Sequence, residues 1–352
     1  MKSLVVALSV IVSAVCAPFS HAAEPLVVRI GFADVGPANQ PYSGNGIAAL
    51  AHARGYIAEE FKNDPNIKFQ FSFHRGGPAV NEAMANKQLD LAQIGDLPGL
   101  LGRANGLKTK ILLGSDSRQN LYLGVTPKSG ITTVKDIAGK KIALFRGTNL
   151  QLAANRFLEA NKFTEKDLKI INMNFYDSFA ALAAGDVDGS FGEADLAILE
   201  QKGVDKVIWN SKKEPNYTRA TLFSTTEEFN NAHPEIVARV VKAIVRAAKW
   251  AADEANREEV FKTLALNGRS IDVFRAEFDG QAMSYRLSPI IDPFLVNKLA
   301  ISAKIAKDVG LIRTDVSTSD WFELKYVNNA IKELGYEDTW KSYGVDGQPV
   351  AK

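Results

Sequence analysis

Leu89–Pro98 (LDLAQIGDLP) and Val187–Glu193 (VDGSFGE) are the two stretches of the chain that decide the fold. Each contains a short strand-like run that begins after an aspartate and ends in a turn with a glycine and an acid. A short apolar run bounded by turn residues is typical of a buried strand in a parallel sheet. The second stretch repeats the first after about 98 residues. The repeat predicts two α/β lobes of related construction.

Strands and helices alternate in the segments around both stretches. Val27–Phe32 and Ile67–Phe73 have strand patterns, and apolar residues at helical spacing predict one amphipathic helix over residues 45–61. In the second half, a strand at residues 141–145 precedes a helix whose apolar stripe begins at Leu150. An order of strand, helix and strand favours a mostly parallel sheet flanked by helices in each lobe.

Two further strand-like segments, at residues 121–125 and 220–224, are predicted to be the hinge strands that join the lobes. The chain then returns to the first lobe for a helical C-terminal third. We therefore expect residues 24–121 plus 224–352 to form lobe I and residues 122–223 to form lobe II.

The longest predicted helix lies in this C-terminal third. Pro234 suits a first helical turn, and apolar residues follow at helical spacing from Val237 to Ala251. The apolar stripe predicts that one side of this helix packs into the core of lobe I.

The first two dozen residues predict export. Lys2 precedes an apolar run from Leu4 to Ala17, and small residues follow at the positions that a signal peptidase reads. The run is shorter than the roughly 20 residues needed to cross a bilayer. Residues 1–22 are therefore predicted to be a signal peptide, cleaved near Ala22 or Ala23, and the mature chain is expected in the periplasm.

Composition limits the chemistry that is expected. The single cysteine, Cys16, falls within the predicted signal peptide, so the mature chain would have no thiol for a disulfide, a nucleophile or a zinc site. With 42 basic and 40 acidic residues, the chain has no electrostatic footprint for nucleic acid. No catalytic residue, metal site or cofactor is predicted.

Turns that follow the strands are predicted to line a ligand cleft between the lobes, because open α/β sheets bind ligands outside the carboxyl ends of their strands. Three of these turns also begin helices, whose free N–H groups and partial positive charge favour an oxyanion. Glycine lets the backbone approach, while hydroxyl and amide side chains add donors. The candidates in these turns are Tyr42, Ser43, Asn45, Gly76, Gly77, Gly147, Thr148 and Asn149.

Arginines near the cleft are further candidates. Arg118 and Gln119 directly precede the first hinge strand, where a side chain can face the cleft, and an arginine can bind an anion bidentately. Arg75 and Arg146 each stand beside a turn glycine. Each of these arginines also fits an ion pair with a carboxylate.

Two acids follow strands of opposite lobes. Asp96 and Glu193 are candidate ligand contacts, and so is Leu97 in the same turn as Asp96. The two acids would repel a plain anion unless the ligand also carries an ammonium group. Taurine has such a group. The alternative is that these acids cap helices or pair with nearby arginines.

Three segments resemble the periplasmic substrate-binding proteins of sulfonate, taurine and nitrate ABC transporters, an NMT1/THI5-like group of type II periplasmic binding proteins. Residues 131–143 are similar to the start of the second lobe in such proteins. Residues 229–250 are similar to a family helix that opens with His-Pro-Glu, and residues 83–98 to the helix, strand and turn that lead to the cleft. The resemblance covers nearly the whole mature chain.

The resemblance implies a monomer that binds a small anion between two closing lobes and hands it to a membrane permease. An aliphatic sulfonate or taurine is the leading ligand, and nitrate and an aromatic sulfonate or carboxylate remain open. The chain departs from the family pattern at Glu193 and in the long loop at residues 33–43, both of which touch the pocket.

Two other functions also remain open. One is a sensory binding protein that signals to a receptor. The other is a thiamin-precursor enzyme, which shares this fold but resembles a site with a cysteine that the mature chain lacks. For the binding function, we expect Thr148→Ala combined with Gly77→Val to weaken binding far more than folding.

Overall fold

The computed structural model of the chain describes residues 24–37 and 45–350. The predicted signal peptide and the candidates Tyr42 and Ser43 lie outside these residues. Within the described ranges, no helix is both long and apolar enough to cross a membrane.

The first sheet is built from β1 (Leu26–Phe32), β2 (Ile67–Phe73), β3 (Leu91–Gly95), β4 (Thr109–Gln119) and β10 (Arg219–Thr226). Their order across the sheet is β2-β1-β3-β10-β4. β1 runs parallel to β2 and β3, whereas β10 runs antiparallel to both of its neighbours. The sheet is therefore mostly parallel with one reversed strand.

The second sheet is built from β5 (Tyr122–Val125), β6 (Lys141–Leu144), β7 (Lys169–Asn172), β8 (Gly189–Gly192) and β9 (Lys206–Asn210). Their order is β7-β6-β8-β5-β9, and β5 is antiparallel to its neighbours. This arrangement repeats the first sheet strand for strand, with β5 in the position of β10. The predicted pair of related, mostly parallel α/β lobes is confirmed.

The repeated sequence stretches have a structural cause. They contain β3 and β8, which occupy equivalent central positions in the two sheets. Asp90, just before β3, accepts a hydrogen bond of 2.8 Å from the Arg29 N–H on β1. Asp188, just before β8, accepts one of 2.8 Å from the Lys141 N–H on β6. Each aspartate thus ties the start of its strand to the neighbouring parallel strand.

The chain crosses between the sheets twice, once between β4 and β5 and once between β9 and β10. The predicted hinge strands correspond to β5 and β10, which adjoin these crossings. Because β10 pairs with β3 and β4 from Arg219 onward, the predicted lobe boundary at residue 223 falls inside a strand of the first sheet. We therefore propose residues 121–218 for lobe II and the other described residues for lobe I.

Helices cover both sheets. Those of lobe I are α1 (Gly46–Ala53), α2 (Tyr56–Glu60), α3 (Gly77–Ala85), α4 (Asp96–Ala104), α8 (Glu227–Ala232), α9 (Pro234–Ala252), α10 (Arg257–Leu264), α11 (Ile271–Phe278), α12 (Met283–Arg286), α13 (Pro293–Asp308) and α14 (Leu324–Glu333). Those of lobe II are α5 (Asn149–Ala160), α6 (Phe175–Ala184) and α7 (Asp195–Gln201). Short 3₁₀ helices occupy Pro127–Ser129, Val134–Ile137, Glu165–Asp167, Pro215–Tyr217, Glu254–Asn256 and Ala265–Asn267.

The single helix predicted over residues 45–61 is wrong, because the structure has two helices there, α1 and α2. Gly55 between them has a φ of 74°, in the left-handed region, which interrupts the helical hydrogen bonding. The long helix predicted from Pro234 is confirmed as α9. Its stripe from Val237 to Ala251 is buried in the largest core cluster of lobe I.

A buried carboxyl makes the stability of lobe II depend on pH. Asp205, just before β9, is buried, and neither carboxyl oxygen has a hydrogen-bond partner within the described part of the chain. Burial, with the nearby charge of Glu200, raises the pKa of Asp205 to about 7. Between its unfolded pKa near 4 and about 7, the folded state holds the proton more tightly, so stability falls as pH rises.

Asp205→Asn is expected to remove this pH dependence. Relative to the wild type, the variant should gain about 3–4 kcal/mol between pH 4 and pH 8, because it has no proton to lose. Urea unfolding at several pH values measures the difference, with Asp186→Asn, an exposed acid of the same lobe, as the control. A difference between wild type and Asp205→Asn that stays constant with pH would contradict the prediction.

Candidate functional site

A cavity of about 340 Å³ lies between the two lobes. Its walls are the turns after β1, β2 and β3 in lobe I and the turns after β6, β7 and β8 in lobe II, with residues of β10 between them. These turns are at the carboxyl ends of the parallel strands, where open α/β sheets bind ligands. A ligand in the cavity can therefore contact both lobes at once.

Four helices begin at this cavity. The residues that precede α1, α3, α5 and α6 all line it, namely Asn45, Gly76, Thr148 and Asn174. The first three make no side-chain capping bond, whereas Asn174 accepts one from the Asp177 N–H. Backbone N–H groups in the first turn of a helix carry a partial positive charge, so their convergence favours an anion.

The start of α3 depends on two glycines for different reasons. Gly76 has a φ of 85°, which is strained for other residues, and its N–H donates to the His74 carbonyl at 2.8 Å. Gly77 packs against α4 so closely that a Cβ would lie 2.2 Å from the Pro98 Cβ. The start of α3 can therefore pack this closely against α4 only if residue 77 has no side chain.

This packing corrects the expectation for Gly77→Val. Any side chain at residue 77 must displace α3 or Pro98, so Gly77→Ala is expected to lower the free energy of unfolding by about 1–3 kcal/mol. Urea unfolding measures the loss, and Glu82→Ala, at an exposed position of the same helix, should stay within about 0.5 kcal/mol of wild type. Equal stability of Gly77→Ala and wild type would contradict the packing.

The lobes contact each other on two sides of the cavity. A Cβ built on Gly147 would lie 3.5 Å from the Pro78 Cγ, and one on Gly95 would lie 3.0 Å from the Asn149 Cβ. The Asn149 side-chain amide also donates to the Gln119 Oε1 at 3.3 Å. A ligand in the cavity would thus be enclosed by both lobes.

We define an ion cluster as Glu193, Asp195, Arg219 and Arg269, of which all but Asp195 line the cavity. Glu193 Oε1 lies 2.5 Å from Arg219 Nη1, and Glu193 Oε2 lies 2.7 Å from Arg269 Nη1. Arg269 also pairs with Asp195. Burial alone would raise the pKa of Glu193, but the two guanidinium groups lower it to about 2. Glu193 is therefore ionised and its charge is compensated within the protein.

The ion cluster also reaches the first crossing between the lobes. Arg219 Nε donates to the Asn120 carbonyl at 3.1 Å, and the Asn120 N–H donates to Glu277 Oε1 at 2.8 Å. Asn120 lies between β4 and β5, whereas Glu277 is on α11 of lobe I. The side chains of Arg219 and Glu277 thus form hydrogen bonds with both the backbone carbonyl and the backbone N–H of Asn120.

Arg75 is a third cation of the cavity wall, in addition to Arg219 and Arg269. It is exposed and, in the described ranges, forms neither an ion pair nor a side-chain hydrogen bond. Arg146, the other arginine beside a turn glycine, pairs with Glu165 at 2.8 Å and does not line the cavity. Arg75 therefore has its guanidinium available to a ligand.

The structure brings many of the predicted site residues to one cavity. Those that line it are Asn45, Gly76, Gly77, Gln119, Thr148, Asn149 and Glu193. Gly147 stands beside it against Pro78. The Thr148 hydroxyl donates to the Phe145 carbonyl at 2.7 Å, so its proton is already used in a hydrogen bond within the protein. Thr148 therefore contributes to the site through its position at the start of α5.

Asp96 and Leu97 do not line the cavity, because α4 begins at Asp96 and turns both side chains into the interior. Asp96 Oδ1 accepts from the Leu97 N–H at 2.8 Å, and its Oδ2 lies 3.8 Å from Arg156 Nη1. Burial raises the pKa of Asp96, opposed by the charges of Arg156 and Lys298. We therefore remove Asp96 and Leu97 from the candidate site.

Arg118 does not line the cavity either. Successive side chains of a strand point to opposite faces, so with Gln119 at the cavity Arg118 points away from it. Its Nη2 donates to Asp292 Oδ2 at 2.7 Å, and its guanidinium lies 4.8 Å from the ring centres of Tyr285 and Tyr343. Arg118 is a buried structural arginine.

Several lining residues were missed from sequence. Arg219 stands one residue before the second predicted hinge strand, and the argument that selected Arg118 at the first strand would have selected it. Arg269 has no local signal, because its partners Glu193 and Asp195 are far away in sequence. Phe145 and Phe175 line the cavity as well, next to turns whose polar residues were the predicted ligand contacts.

Comparison with known proteins agrees with this architecture. A family model described as NMT1/THI5 like matches residues 48–257, more than half of the chain. A protein of Bacillus subtilis (strain 168) named as an aliphatic sulfonates-binding protein is 28% identical over 203 residues, 57% of this chain. The match spans 60% of the length of that relative.

Two solved structures extend the comparison. One, described as the periplasmic sulfonate-binding protein SsuA of a sulfonate ABC transporter from Methylobacillus flagellatus KT, has a TM-score of 0.80 and 29% identity, covering 91% of this chain and 98% of that chain. The desulfurization enzyme DSZB has a TM-score of 0.66 and 16% identity, covering 87% and 99%. The second likeness shows a shared fold alone.

Proposed function

Because the chain belongs to the NMT1/THI5-like family, we propose that it is the extracytoplasmic solute-binding component of an ABC importer and binds a small organic sulfonate between its lobes. The same proposal includes export to the periplasm, action as a monomer, and delivery of the ligand to a membrane permease. The names of the Bacillus and Methylobacillus relatives support it.

The observation that carries the proposal is the convergence on one cavity, shared by both lobes, of several helix starts and of Arg75, which pairs with no residue in the ranges 24–37 and 45–350. The starts of α3 and α5 belong to opposite lobes, and Arg75 stands next to the former. A sulfonate presents three oxygens that share one negative charge, so it can accept from both helix starts and from Arg75 at once. A carboxylate has one oxygen fewer for the same donors.

The cavity also ranks the ligands that the sequence left open. Nitrate is far smaller than 340 Å³ and would leave most of the cavity to water. Taurine loses the support expected from two acids, because Asp96 is buried behind the wall and Glu193 is already compensated by Arg219 and Arg269. Asp34 and Asp177 also line the cavity, so taurine stays a candidate, and we place a sulfonate without an amine first because neither predicted acid is available to an ammonium group.

Ligand binding and lobe closure are coupled in this arrangement. A ligand that contacts α3 of lobe I and α5 of lobe II gains its full set of contacts only when the lobes meet, so it favours the closed state. The proposed role requires no bond to be made or broken. The lining residues bind and orient the anion, and closure marks the loaded protein for the permease.

A thermal-shift panel of ethanesulfonate, taurine, propionate and nitrate tests the proposal. A ligand at about 100 times its Kd adds about 2.7 kcal/mol to stability, so ethanesulfonate is expected to raise the Tm clearly. Propionate, matched in chain length, should raise it less, and nitrate should have the smallest effect. No shift with any sulfonate would contradict the proposal, and release of sulfite from ethanesulfonate would indicate an enzyme instead.

A further inference from the structure

Two phenylalanines in the cavity wall have no hydrogen-bond donor with which to bind an anion. Phe145 follows β6, Phe175 begins α6, and we define the aromatic corner as these two residues. Their ring centres lie 5.4 Å apart with the planes at 90°. Both rings are half-buried and both line the cavity. Two rings at right angles present a face and an edge to the same space, a shape that suits a planar aromatic guest.

Lobe I contributes four apolar side chains to the cavity wall, although the charged Asp34 also lines it. Ala33, Val35 and Pro37 line it from the turn after β1, and Pro98 lines it from α4. None of these side chains offers a hydrogen bond. A ligand body between this wall and the aromatic corner would therefore be held by apolar contact with both lobes.

The cavity is large enough to hold such a body. About 340 Å³ corresponds to roughly ten water molecules at about 30 Å³ each. A sulfonate with one or two carbons would fill only part of that volume and leave water against apolar walls. Displacing poorly bonded water with an apolar group strengthens binding.

On the premise of the proposed function, we infer that the ligand is a sulfonate that carries an aromatic ring. The sulfonate lies at Arg75 and the starts of α3 and α5, and the ring occupies the aromatic corner. A flexible alkyl chain of equal size fills the same volume, but it loses rotational freedom on binding that a ring does not have. It also lacks the edge-to-face contacts that aromatic pairs make.

Calorimetric titration of the whole protein with three sulfonates tests the inference. Benzenesulfonate and hexanesulfonate have the same number of non-hydrogen atoms, and methanesulfonate supplies the headgroup with almost no body. Benzenesulfonate is expected to bind about threefold to tenfold tighter than hexanesulfonate and at least about tenfold tighter than methanesulfonate. Hexanesulfonate binding as tightly as benzenesulfonate would overturn the inference.

Two variants locate the preference. Phe175→Leu and Phe145→Leu keep an apolar wall, so each should abolish the preference for benzenesulfonate while changing hexanesulfonate affinity by less than about threefold. Phe163→Leu, a partly buried phenylalanine of the same lobe that does not line the cavity, should leave the preference intact. A ring preference that survives both corner variants would also overturn the inference. Failure of all three sulfonates to bind the wild type would instead refute the proposed function.

Discussion

Glu193→Ala is expected to lower the free energy of unfolding by about 3–5 kcal/mol. The substitution leaves the buried Arg219 without its carboxylate partner, and it leaves the 6% exposed side chain of Arg269 with Asp195 alone. A buried charge that loses its partner keeps the cost of its desolvation. The substitution removes an ion pair between the lobes, because Glu193 belongs to lobe II and Arg269 to lobe I.

Urea unfolding at pH 7 measures this loss. The matched control is Asp186→Ala, which removes an exposed acid of the same lobe and should stay within about 0.5 kcal/mol of wild type. The depressed pKa of Glu193 adds a pH signature: its stabilising effect is present above pH 4.5 and is lost as the pH falls towards 2. A loss below about 1 kcal/mol in Glu193→Ala would show that the ion cluster is not a desolvated unit.

Arg75→Ala is expected to weaken sulfonate binding by about tenfold to 100-fold while leaving stability nearly unchanged. A hydrogen bond to a charged group contributes about 1.5–3 kcal/mol, and the exposed Arg75 pairs with no group in the described part of the chain. Affinity in the wild type should also fall with added salt, and this dependence should be weaker in the variant.

Arg146→Ala is the matched control for Arg75→Ala. Both arginines precede a turn glycine, but Arg146 pairs with Glu165 at 2.8 Å and lies outside the cavity wall. Calorimetric titration with ethanesulfonate should therefore give wild-type affinity for Arg146→Ala. Equal losses in the two variants would mean that general positive charge on this side of the molecule, rather than a contact from Arg75, attracts the ligand.

The fold was predictable because its signals are local. A strand that ends in a glycine turn, as at Gly95 and Gly192, can be recognised from a few neighbouring residues, and so can the apolar stripe of α9. The break at Gly55 was missed because one glycine inside an apolar periodic pattern does not change the period. Its left-handed backbone is visible only in the structure.

The site was predictable only where its residues belong to those turns. Gly76, Gly77, Thr148 and Asn149 reach the cavity because strand ends fix the turns that contain them. The pairing of Arg269 with Glu193 in the ion cluster was not predictable, because tertiary packing joins them and no sequence pattern links them. A position just after a strand also did not predict which way the side chain points, since α4 begins at Asp96 and turns its carboxylate into the interior.

The most direct test of the account is a crystal structure with bound ethanesulfonate, in which anomalous scattering locates the ligand sulfur. We predict that this sulfur lies between the starts of α3 and α5, with sulfonate oxygens within hydrogen-bonding distance of backbone N–H groups and of the Arg75 guanidinium. A sulfur position outside the cavity between the lobes, or one in contact with a single lobe only, would contradict the account.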